Sequence, residues 1–233
     1  MYFPEDLNSF GIVLKGSSVK SIPDYADKFD HCFMVNNFDR NIDNKNSEWE
    51  TVSPHLKGKN IVHFVNRLTT APLLKEHYEE LNIKHIQLSK MKMDDALRIV
   101  VPYYEDECGL ECHFLPGQAL KYNDYFDDKF YMKPGDSNYR AKHPNTGVLS
   151  VVFAAELLKP KDLWVIGLDF YQSDYLFRRP WQAPLDNQQL KMRNTDMVGH
   201  FVDVVKRNPD VNFHLVTKAT NVPEMDNLEI FKV

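Results

Sequence analysis

Short apolar runs alternate with longer stretches of helical spacing along most of the chain. The runs that predict strands span residues 10–18, 31–39, 60–66, 85–89, 162–170 and 212–218. The stretches that predict helices span 71–82, 93–130 with a break at Cys108-Gly109, 145–159 and 194–208. In these stretches apolar residues recur at the spacing of one helix face. The alternation predicts an α/β fold, a mostly parallel sheet with helices on both faces.

The run DLWVIGLDF, residues 162–170, is nearly continuous in apolar residues, as is typical of a strand buried on both faces. It leads directly into polar residues, Asp169, Tyr171 and Gln172. A long irregular stretch with many aromatic and basic residues follows at about 171–193, and its length predicts a lid. With 233 residues the chain is long enough for a sizeable core, and we expect one domain, residues 1–233, that carries this lid.

Composition and charge narrow the class of protein. Apolar residues make up 43% and charged residues 26%, values that are ordinary for a globular protein. The net charge of −5 and the scattered Lys and Arg residues argue against a nucleic-acid partner. Three cysteines do not make a disulfide scaffold and fit a reducing compartment, so we expect a cytoplasmic protein. The start MYFPEDLNSF lacks a signal-peptide pattern, and no apolar run is long enough for an integral membrane segment.

Neutral hydrogen-bonding residues follow four of the predicted strands. They are Gly16-Ser17-Ser18, Asn36-Asn37, Asn66 and Asp169 to Tyr171. Ligands of such folds bind outside the carboxyl ends of the strands, where a glycine lets the backbone approach a phosphate. The same residue types also populate turns, and at a single position the turn is the simpler interpretation. Because these residue types follow four strands, a ligand site is favoured. Since most of them are neutral, they do not form a carboxylate cluster for a metal ion.

Five short motifs occur in an order and spacing that resemble a known family. They are LKGSSV at 14–19, VNNF at 35–38, FVN at 64–66, NTGV at 145–148 and GLDFYQ at 167–172. With these motifs the chain, from about Ile12 to Thr217, resembles the small bacterial sialyltransferases of glycosyltransferase family 42. The resemblance implies a single Rossmann-like domain that binds CMP-sialic acid under a flexible lid.

The resemblance also implies roles for individual residues. Asn36 and Asn66 would hydrogen-bond the nucleotide or sugar of the donor, and Thr146 with the Gly147 amide would hold the sugar carboxylate. Tyr171 and Tyr175 would bind the leaving phosphate through their hydroxyls, without a metal ion or other cofactor. The full set of implied donor-binding residues is Lys15, Gly16, Ser17, Ser18, Asn36, Asn66, Thr146, Gly147 and Asp169. Each tyrosine has a structural alternative, packing on the sheet edge or on the lid.

Two positions depart from the family pattern. Lys15 replaces an asparagine of the glycine turn, and a lysine can pair with a phosphate instead. Lys191 stands where the family has its general-base histidine, three residues before Asn194-Thr195-Asp196. A lysine with an ordinary pKa of about 10.4 is protonated at pH 7 and cannot accept a proton. His143 and His200 are the alternatives, although His143 suits an anion contact better and His200 suits a packed or exposed position on an amphipathic helix.

The segment ECGLECH, residues 107–113, raises a metal alternative. Cys108, Cys112 and His113 are zinc-ligand types, but no second ligand pair follows at a fixed spacing. Buried free cysteines are the preferred interpretation.

The pattern and the resemblance together predict a metal-independent, inverting glycosyltransferase. It would transfer sialic acid or a related acidic sugar such as Kdo from a CMP donor to a glycan acceptor, as in lipooligosaccharide biosynthesis. The catalytic candidates are Tyr171, Tyr175, His143 and Lys191. The alternative is a non-catalytic nucleotide- or glycan-binding protein that retains the fold. We expect a cytoplasmic or membrane-peripheral location. The sequence is compatible with a monomer and with a homo-oligomer.

Overall fold

The computed structural model of the chain describes residues 3–4, 6–36, 38, 48–65, 74–88, 101–114, 144–173 and 187–233. Side chains are described in these ranges except at 114, 187–193 and 195.

Eight strands form one sheet in which every neighbouring pair is parallel. The strands are β1 Ser9–Val13, β2 His31–Val35, β3 Asn60–Val65, β4 His85–Leu88, β5 Glu111–Phe114, β6 Asp162–Ile166, β7 Asn212–Thr217 and β8 Leu228–Lys232. Their order across the sheet is β5-β4-β3-β2-β1-β6-β7-β8. The chain therefore adds strands on one side of β1 and then crosses to the other side for β6.

Helices connect the strands. They are α1 Ile22–Tyr25, α2 Glu48–Leu56, α3 Lys75–Glu80, α4 Thr146–Phe153 and α5 Asn187–Arg207. Short 3-10 turns at Ser17–Ser21 and Ala26–Lys28 flank α1, and α4 continues as a π-helical turn over Ala154–Leu158. This turn ends at Lys159, whose φ of 47° places it in the left-handed region.

Each face of the sheet packs against its own group of helices. On one face α4 and α5 cover β1, β2, β3, β6 and β7, with Phe10, Phe33 and Phe201 completely or almost completely buried. On the other face α1, α2 and α3 cover the same sheet, and Met34 and Trp49 lie in that core. The prediction of an α/β, Rossmann-like fold with helices on both faces is confirmed.

Two strands and two helices of the described residues were not predicted from the sequence pattern. The predicted helix over 93–130 is wrong at β5, because the π-helical turn Pro102–Glu107 stops at Gly109, where φ is +69°, and the chain then pairs with β4. The strand at 212–218, the last that the sequence pattern predicts, is followed by β8, which pairs with β7. The helices α1 and α2 were not predicted: α1 has only four residues, and α2 contains Pro54, although its buried Trp49, Val52 and Leu56 have helical spacing.

The predicted lid at 171–193 overlaps α5, which begins at Asn187. Residues 187–193 are therefore helical rather than irregular, and residues 174–186 lie outside the described part of the chain. Among the described helices, none combines the length and the apolar character needed to cross a bilayer.

The order of the strands defines a crevice. The direction of strand addition reverses between β1 and β6, which are hydrogen-bonded neighbours over Ser9–Val13 and Asp162–Ile166. At such a switch point the connections leave the sheet on opposite faces, and a crevice opens outside the carboxyl ends of the two strands. The segments that follow β1 and β6 are therefore the place to examine for a ligand site.

A glycine pair tests how tightly the ends of β1 and β6 are packed. Gly167 and Gly58 both have positive φ, +86° and +81°, but a Cβ on Gly167 would overlap the carbonyl of Leu14, whereas a Cβ on Gly58 would meet nothing within 4 Å. We expect Gly58→Ala to cost about 1 kcal/mol, from backbone strain alone. Gly167→Ala should cost roughly 2 kcal/mol more, because the strand ends must separate. Urea denaturation of both variants measures the difference, and equal losses would contradict this packing.

Candidate functional site

The ends of β1, β6 and β7 meet at the buried carboxylate of Asp169. Its oxygens accept from the backbone N–H and the hydroxyl of Ser18, at 3.0 and 2.5 Å, and from the backbone N–H of Lys218 at 2.9 Å. The hydroxyl of Ser173 donates at 2.5 Å, and that of Thr217 lies 3.1 Å away. Because a carboxylate offers about four lone-pair sites, these protein groups occupy its acceptor capacity. Asp169 thus positions the strand ends, and its predicted contact with a donor substrate stays a prediction.

The hydroxyls of Ser18 and Thr217 each have a second acceptor within reach besides Asp169. Ser18 Oγ also lies 3.3 Å from the carbonyl of Val216, a longer contact than its 2.5 Å bond to Asp169. Thr217 Oγ1 is 2.8 Å from the carbonyl of Leu168 and shares its single proton between that oxygen and Asp169. The same Thr217 oxygen accepts from the backbone N–H of Ala219 at 3.0 Å. The loop after β7 is therefore fixed to the loop after β6.

Gly16 allows the ends of β1 and β6 to approach each other. Its N–H donates to the Gly167 carbonyl at 2.9 Å, and a Cβ at position 16 would lie 2.5 Å from that oxygen and 2.6 Å from Asp169 Oδ2. Its φ of −63° is open to any residue, so the glycine is required for space and not for backbone conformation. The predicted role of Gly16 at a phosphate stays a prediction alongside this packing role.

Lys15 forms an ion pair inside the protein. Its Nζ lies 3.7 Å from Glu48 Oε2, with side chains that are 14% and 2% exposed. Glu48 begins α2, where the helix dipole favours a negative charge. In the predicted contact, Lys15 would bind a phosphate as well as the Glu48 carboxylate. The neighbouring Ser17 is half-buried, and no described group is hydrogen-bonded to its hydroxyl.

Asn36, directly after β2, presents an unused acceptor. Its φ of 58° is left-handed, a conformation that asparagine tolerates better than most residues. Its backbone is held on both sides, because its N–H donates to Phe64 and its carbonyl accepts from His63. Within the described part of the chain, its side-chain Oδ1 is buried and meets no donor. A buried acceptor of this kind costs free energy unless a ligand or water donates to it.

His63 fixes this conformation and was missed by the sequence analysis. Its Nε2 lies 2.9 Å from the Asn36 carbonyl, which can only accept, so Nε2 carries the proton. Nδ1 then accepts from the Tyr78 hydroxyl at 3.0 Å. Complete burial lowers the pKa of His63 to about 4, so the ring is neutral at pH 7. A single histidine within the apolar run NIVHFV was the signal in the sequence.

The N-terminus of α4 lies beside Tyr171. Asn145 caps the helix, with Oδ1 accepting from the Val148 N–H at 2.9 Å, and its Nδ2 donates to the Tyr171 hydroxyl at 3.3 Å. Thr146 and Gly147 form the first turn, and both are buried. Their amides are among those that an α-helix leaves without a partner of its own. One asparagine thus brings together three predicted site residues: Thr146, Gly147 and Tyr171.

Tyr171 lies on a strained turn. Phe170 and Tyr171 have φ values of 47° and 62°, two consecutive non-glycine residues in the left-handed region. The turn is held by the Gln172 N–H, which donates to the Asp169 carbonyl at 2.8 Å, and by Asn194 Nδ2, which donates to the Phe170 carbonyl at 2.8 Å. Backbone strain of this kind costs about 1–3 kcal/mol per residue and is concentrated at functional sites.

An amide network joins α5 to this turn. Asn194 Oδ1 accepts from Asn221 Nδ2 at 2.7 Å, and Asn221 Oδ1 accepts from Gln172 Nε2 at 2.8 Å. Gln172 Oε1 in turn accepts from the Thr220 backbone N–H at 2.5 Å. The partners in this network are separated by 27 and 49 positions, so the sequence alone gives no sign that Asn194 holds the turn.

The fold matches that of a bacterial sialyltransferase. The structure of CstII from Campylobacter jejuni in complex with a substrate analogue, cytidine-5'-monophosphate, gives a TM-score of 0.53 at 19% sequence identity, over 97% of this chain and 85% of that chain. The crystal structure of a tyrosine-to-phenylalanine variant of the sialyltransferase Cst-II in complex with CMP gives a TM-score of 0.52 at 17% identity, over 95% of this chain and 85% of that chain. No protein-family model and no curated protein matches the chain. At this level of identity the likeness establishes a sialyltransferase-like fold.

Several predicted site residues remain to be placed. Asn66, His143 and Tyr175 lie outside the described residues. Lys191 lies in α5, three residues before Asn194 and thus about one helical turn away from the residue that contacts the Phe170 carbonyl. His200, the other alternative base, is completely buried among the core residues of α5, which agrees with the packed position.

The cysteines of the segment ECGLECH are free, but they are not fully buried. Cys108 and Cys112 are half-buried, which corrects the expectation of buried thiols at these positions; Cys32 is the buried one. Burial raises the pKa of the Cys112 thiol to about 12, so it is protonated at pH 7. His113 lies close to His85 and Glu111.

The neutral His63 predicts a pH dependence of stability. The unfolded chain binds a proton at His63 near pH 6.5, whereas the folded chain binds it only near pH 4. Stability should therefore be complete above about pH 6.5 and fall by roughly 3 kcal/mol as the pH decreases to about 4. Urea denaturation across this pH range should record this loss of stability in the wild type. The loss should persist in His55→Gln, a control substitution on α2, and should be absent in His63→Gln. An unchanged pH dependence in His63→Gln would contradict the assignment.

Proposed function

We propose that this chain is a glycosyltransferase that takes an acidic sugar, sialic acid or a close relative, from a CMP-activated donor and passes it to a glycan hydroxyl. Residues 1–233 would act as a single nucleotide-sugar-binding domain. The transfer would invert the anomeric centre and use no metal ion. The observation that carries the proposal is that Tyr171 and the start of α4 lie together beside the ends of β1 and β6, and that Asn36 follows the neighbouring strand β2, in a fold that matches a CMP-bound sialyltransferase.

The nucleotide would lie across the ends of β1 and β2. The buried Oδ1 of Asn36 needs a hydrogen-bond donor, and a cytosine amino group or a ribose hydroxyl supplies one. The His63 hydrogen bond holds the Asn36 backbone in its left-handed conformation before any ligand arrives. A group that is already in position loses little conformational entropy on binding.

The sugar carboxylate would lie at the start of α4. The Thr146 hydroxyl has no hydrogen-bond partner among the described residues, and the amides of Thr146 and Gly147 are at the positive end of the helix dipole. These neutral donors suit a carboxylate and suit an uncharged sugar less. The geometry therefore supports an acidic sugar as the transferred group.

The departing phosphate would be stabilised by phenol hydroxyls. Tyr171 accepts a hydrogen bond from Asn145, which directs its own proton away from that amide. A hydroxyl that accepts one hydrogen bond donates the next more strongly, because the two bonds polarise each other. As CMP leaves, negative charge grows on the phosphate, and a fixed donor lowers the barrier by meeting that charge. Tyr175 is proposed as the second donor.

The acceptor hydroxyl must lose a proton, and the candidates for taking it are His143 and Lys191. Lys191 supports a second function, because a protonated lysine in the base position leaves the acceptor unactivated. In that case the protein would bind a nucleotide or glycan without transferring a sugar.

Nucleotide binding tests the donor site directly. We expect CMP to raise the melting temperature more than UDP or GDP does, and to do so equally in EDTA. Asn36→Gly keeps the left-handed backbone but removes Oδ1, so CMP affinity should fall by about tenfold, the equivalent of one hydrogen bond. Asn82→Gly is the matched control, since Asn82 has a φ of 52° and is exposed at the end of α3. A preference for UDP, or loss of binding in EDTA, would overturn the metal-free CMP site.

Tyr171→Phe tests the chemistry separately from binding. Donor transfer or acceptor-free hydrolysis of CMP-sialic acid should slow by about ten- to a thousandfold, with a smaller effect on donor affinity, because the phosphate charge is largest in the transition state. Stability should fall by about 1 kcal/mol, from the lost Asn145 contact. Tyr25→Phe, a half-buried tyrosine that packs on Trp164, is the control for loss of a phenol oxygen.

The outcomes distinguish the two functions. Full activity of Tyr171→Phe with lowered stability would remove Tyr171 from the reaction. Tight CMP binding by a wild type that neither transfers nor hydrolyses the donor would favour the non-catalytic function.

A further inference from the structure

A second cluster of chemistry lies at the other end of the strands. His85 is the first residue of β4 and Glu111 the first of β5, and the two are paired in register. His113 follows two residues later on β5, and residues two apart on a strand share one face. One ligand atom from each of these three residues lies within 4.8 Å of the other two.

The spacing of these atoms fits a tetrahedral metal ion. His85 Nδ1 lies 3.1 Å from His113 Nε2 and 3.4 Å from Glu111 Oε2, and His113 Nε2 lies 3.8 Å from Glu111 Oε1. Zinc bonds of about 2.0–2.1 Å place the corners of a tetrahedron about 3.3 Å apart. The two nitrogens and one of the two Glu111 oxygens, all within 4.8 Å of one another, can therefore occupy three corners around one ion, and the fourth corner remains for water or a further ligand.

The two facing ring nitrogens are better explained by an ion than by a hydrogen bond alone. Two neutral imidazoles can share one proton between these nitrogens, but a metal ion accepts lone pairs from both at once. Glu111 adds a negative charge beside them, which compensates part of the ion's charge. Imidazole and carboxylate ligands suit zinc and its neighbours in the first transition row, whereas magnesium and calcium prefer oxygen ligands alone.

The pairing of β4 with β5 fixes the positions of His85, Glu111 and His113 relative to one another. All three residues are on paired strands of the sheet, and Gln87 Nε2 donates to the His113 carbonyl at 3.2 Å. The side chains of His85 and His113 are 26% and 23% exposed, so a hydrated ion can reach them from solvent.

His214 shows a different arrangement of the same residue types. Its Nε2 lies 3.1 Å from Asp162 Oδ1 and its Nδ1 lies 3.1 Å from Glu229 Oε2. The two nitrogens of one ring point in different directions, so this arrangement does not converge on one point. His214 is thus a natural control for the convergent cluster.

We propose that His85, Glu111 and His113 form a binding site for a divalent transition-metal ion of the zinc class. The ion joins β5, the edge strand, to β4, and stabilises that edge of the sheet. The site lies at the amino ends of the strands, whereas the CMP crevice lies at the carboxyl ends. It is therefore independent of the proposed transfer reaction.

The test begins with protein stripped of metal by EDTA and then dialysed. Co²⁺ is titrated while its visible d–d absorption is recorded, and Zn²⁺ is then added in competition. We expect one equivalent of Co²⁺ to bind with a tetrahedral spectrum, Zn²⁺ to displace it, and Mg²⁺ to leave it in place. Zn²⁺ should also raise the melting temperature of the stripped protein, because an ion that binds only the folded state stabilises it. Absence of a saturable Co²⁺ or Zn²⁺ signal in the wild type would overturn the proposal.

Variants locate the ion. His85→Ala and His113→Ala should each weaken Zn²⁺ binding by more than about tenfold, and Glu111→Gln should weaken it without disturbing the strand pairing. His214→Ala and Cys112→Ser should bind as the wild type does. Loss of binding in Cys112→Ser, or unchanged binding in His113→Ala, would overturn the assigned ligands. Circular dichroism of each variant checks the fold, and unchanged CMP binding after stripping keeps this result separate from the donor site.

Discussion

The buried carboxylate of Asp169 is the interaction on which the shape of the crevice depends. It gathers donors from the segments after β1, β6 and β7, which are far apart in the sequence: Ser18 is 151 positions away and Lys218 is 49. Burying the Asp169 carboxylate without these donors would cost more free energy than the hydrogen bonds contribute. The three strand ends must therefore come together for the carboxylate to be buried. The strained turn at Tyr171 and the start of α4 are then arranged around this fixed centre.

The fold was largely predictable because its main signal is local. A parallel sheet covered on both faces requires continuous apolar strands, and runs such as DLWVI carry that requirement in five consecutive residues. The misses have a local cause as well. The strand β5 has four residues and includes Glu111 and His113, and β8 includes Glu229 and Lys232, charged residues of the kind that edge strands contain. Neither has a pattern that separates it from a helix or a loop.

The site was only partly predictable, because its contacts are between distant residues. Strand-end chemistry singled out Asn36 and Tyr171, but nothing in the local pattern distinguishes a residue that meets a ligand from one that holds the backbone. Asp169 and Ser18 were predicted at the donor, and both are engaged with each other. His63, which fixes the conformation of Asn36, was missed because a lone histidine in a strand is ordinarily a packing residue. Pairing across the sheet had to be known before these roles could be told apart.

The described donors to Asp169 come from the segments after β1, β6 and β7, and none of the described side chains of α5, the helix that carries Lys191, is among them. A substitution on α5 that keeps Asn194 therefore spares the described bonds that hold the strand ends together. The shape of the crevice and the chemistry of the α5 side chains therefore depend on different residues. If α5 supplies the proton acceptor, as the proposed function holds, a lineage can exchange that residue by single substitutions and still inherit the crevice unchanged.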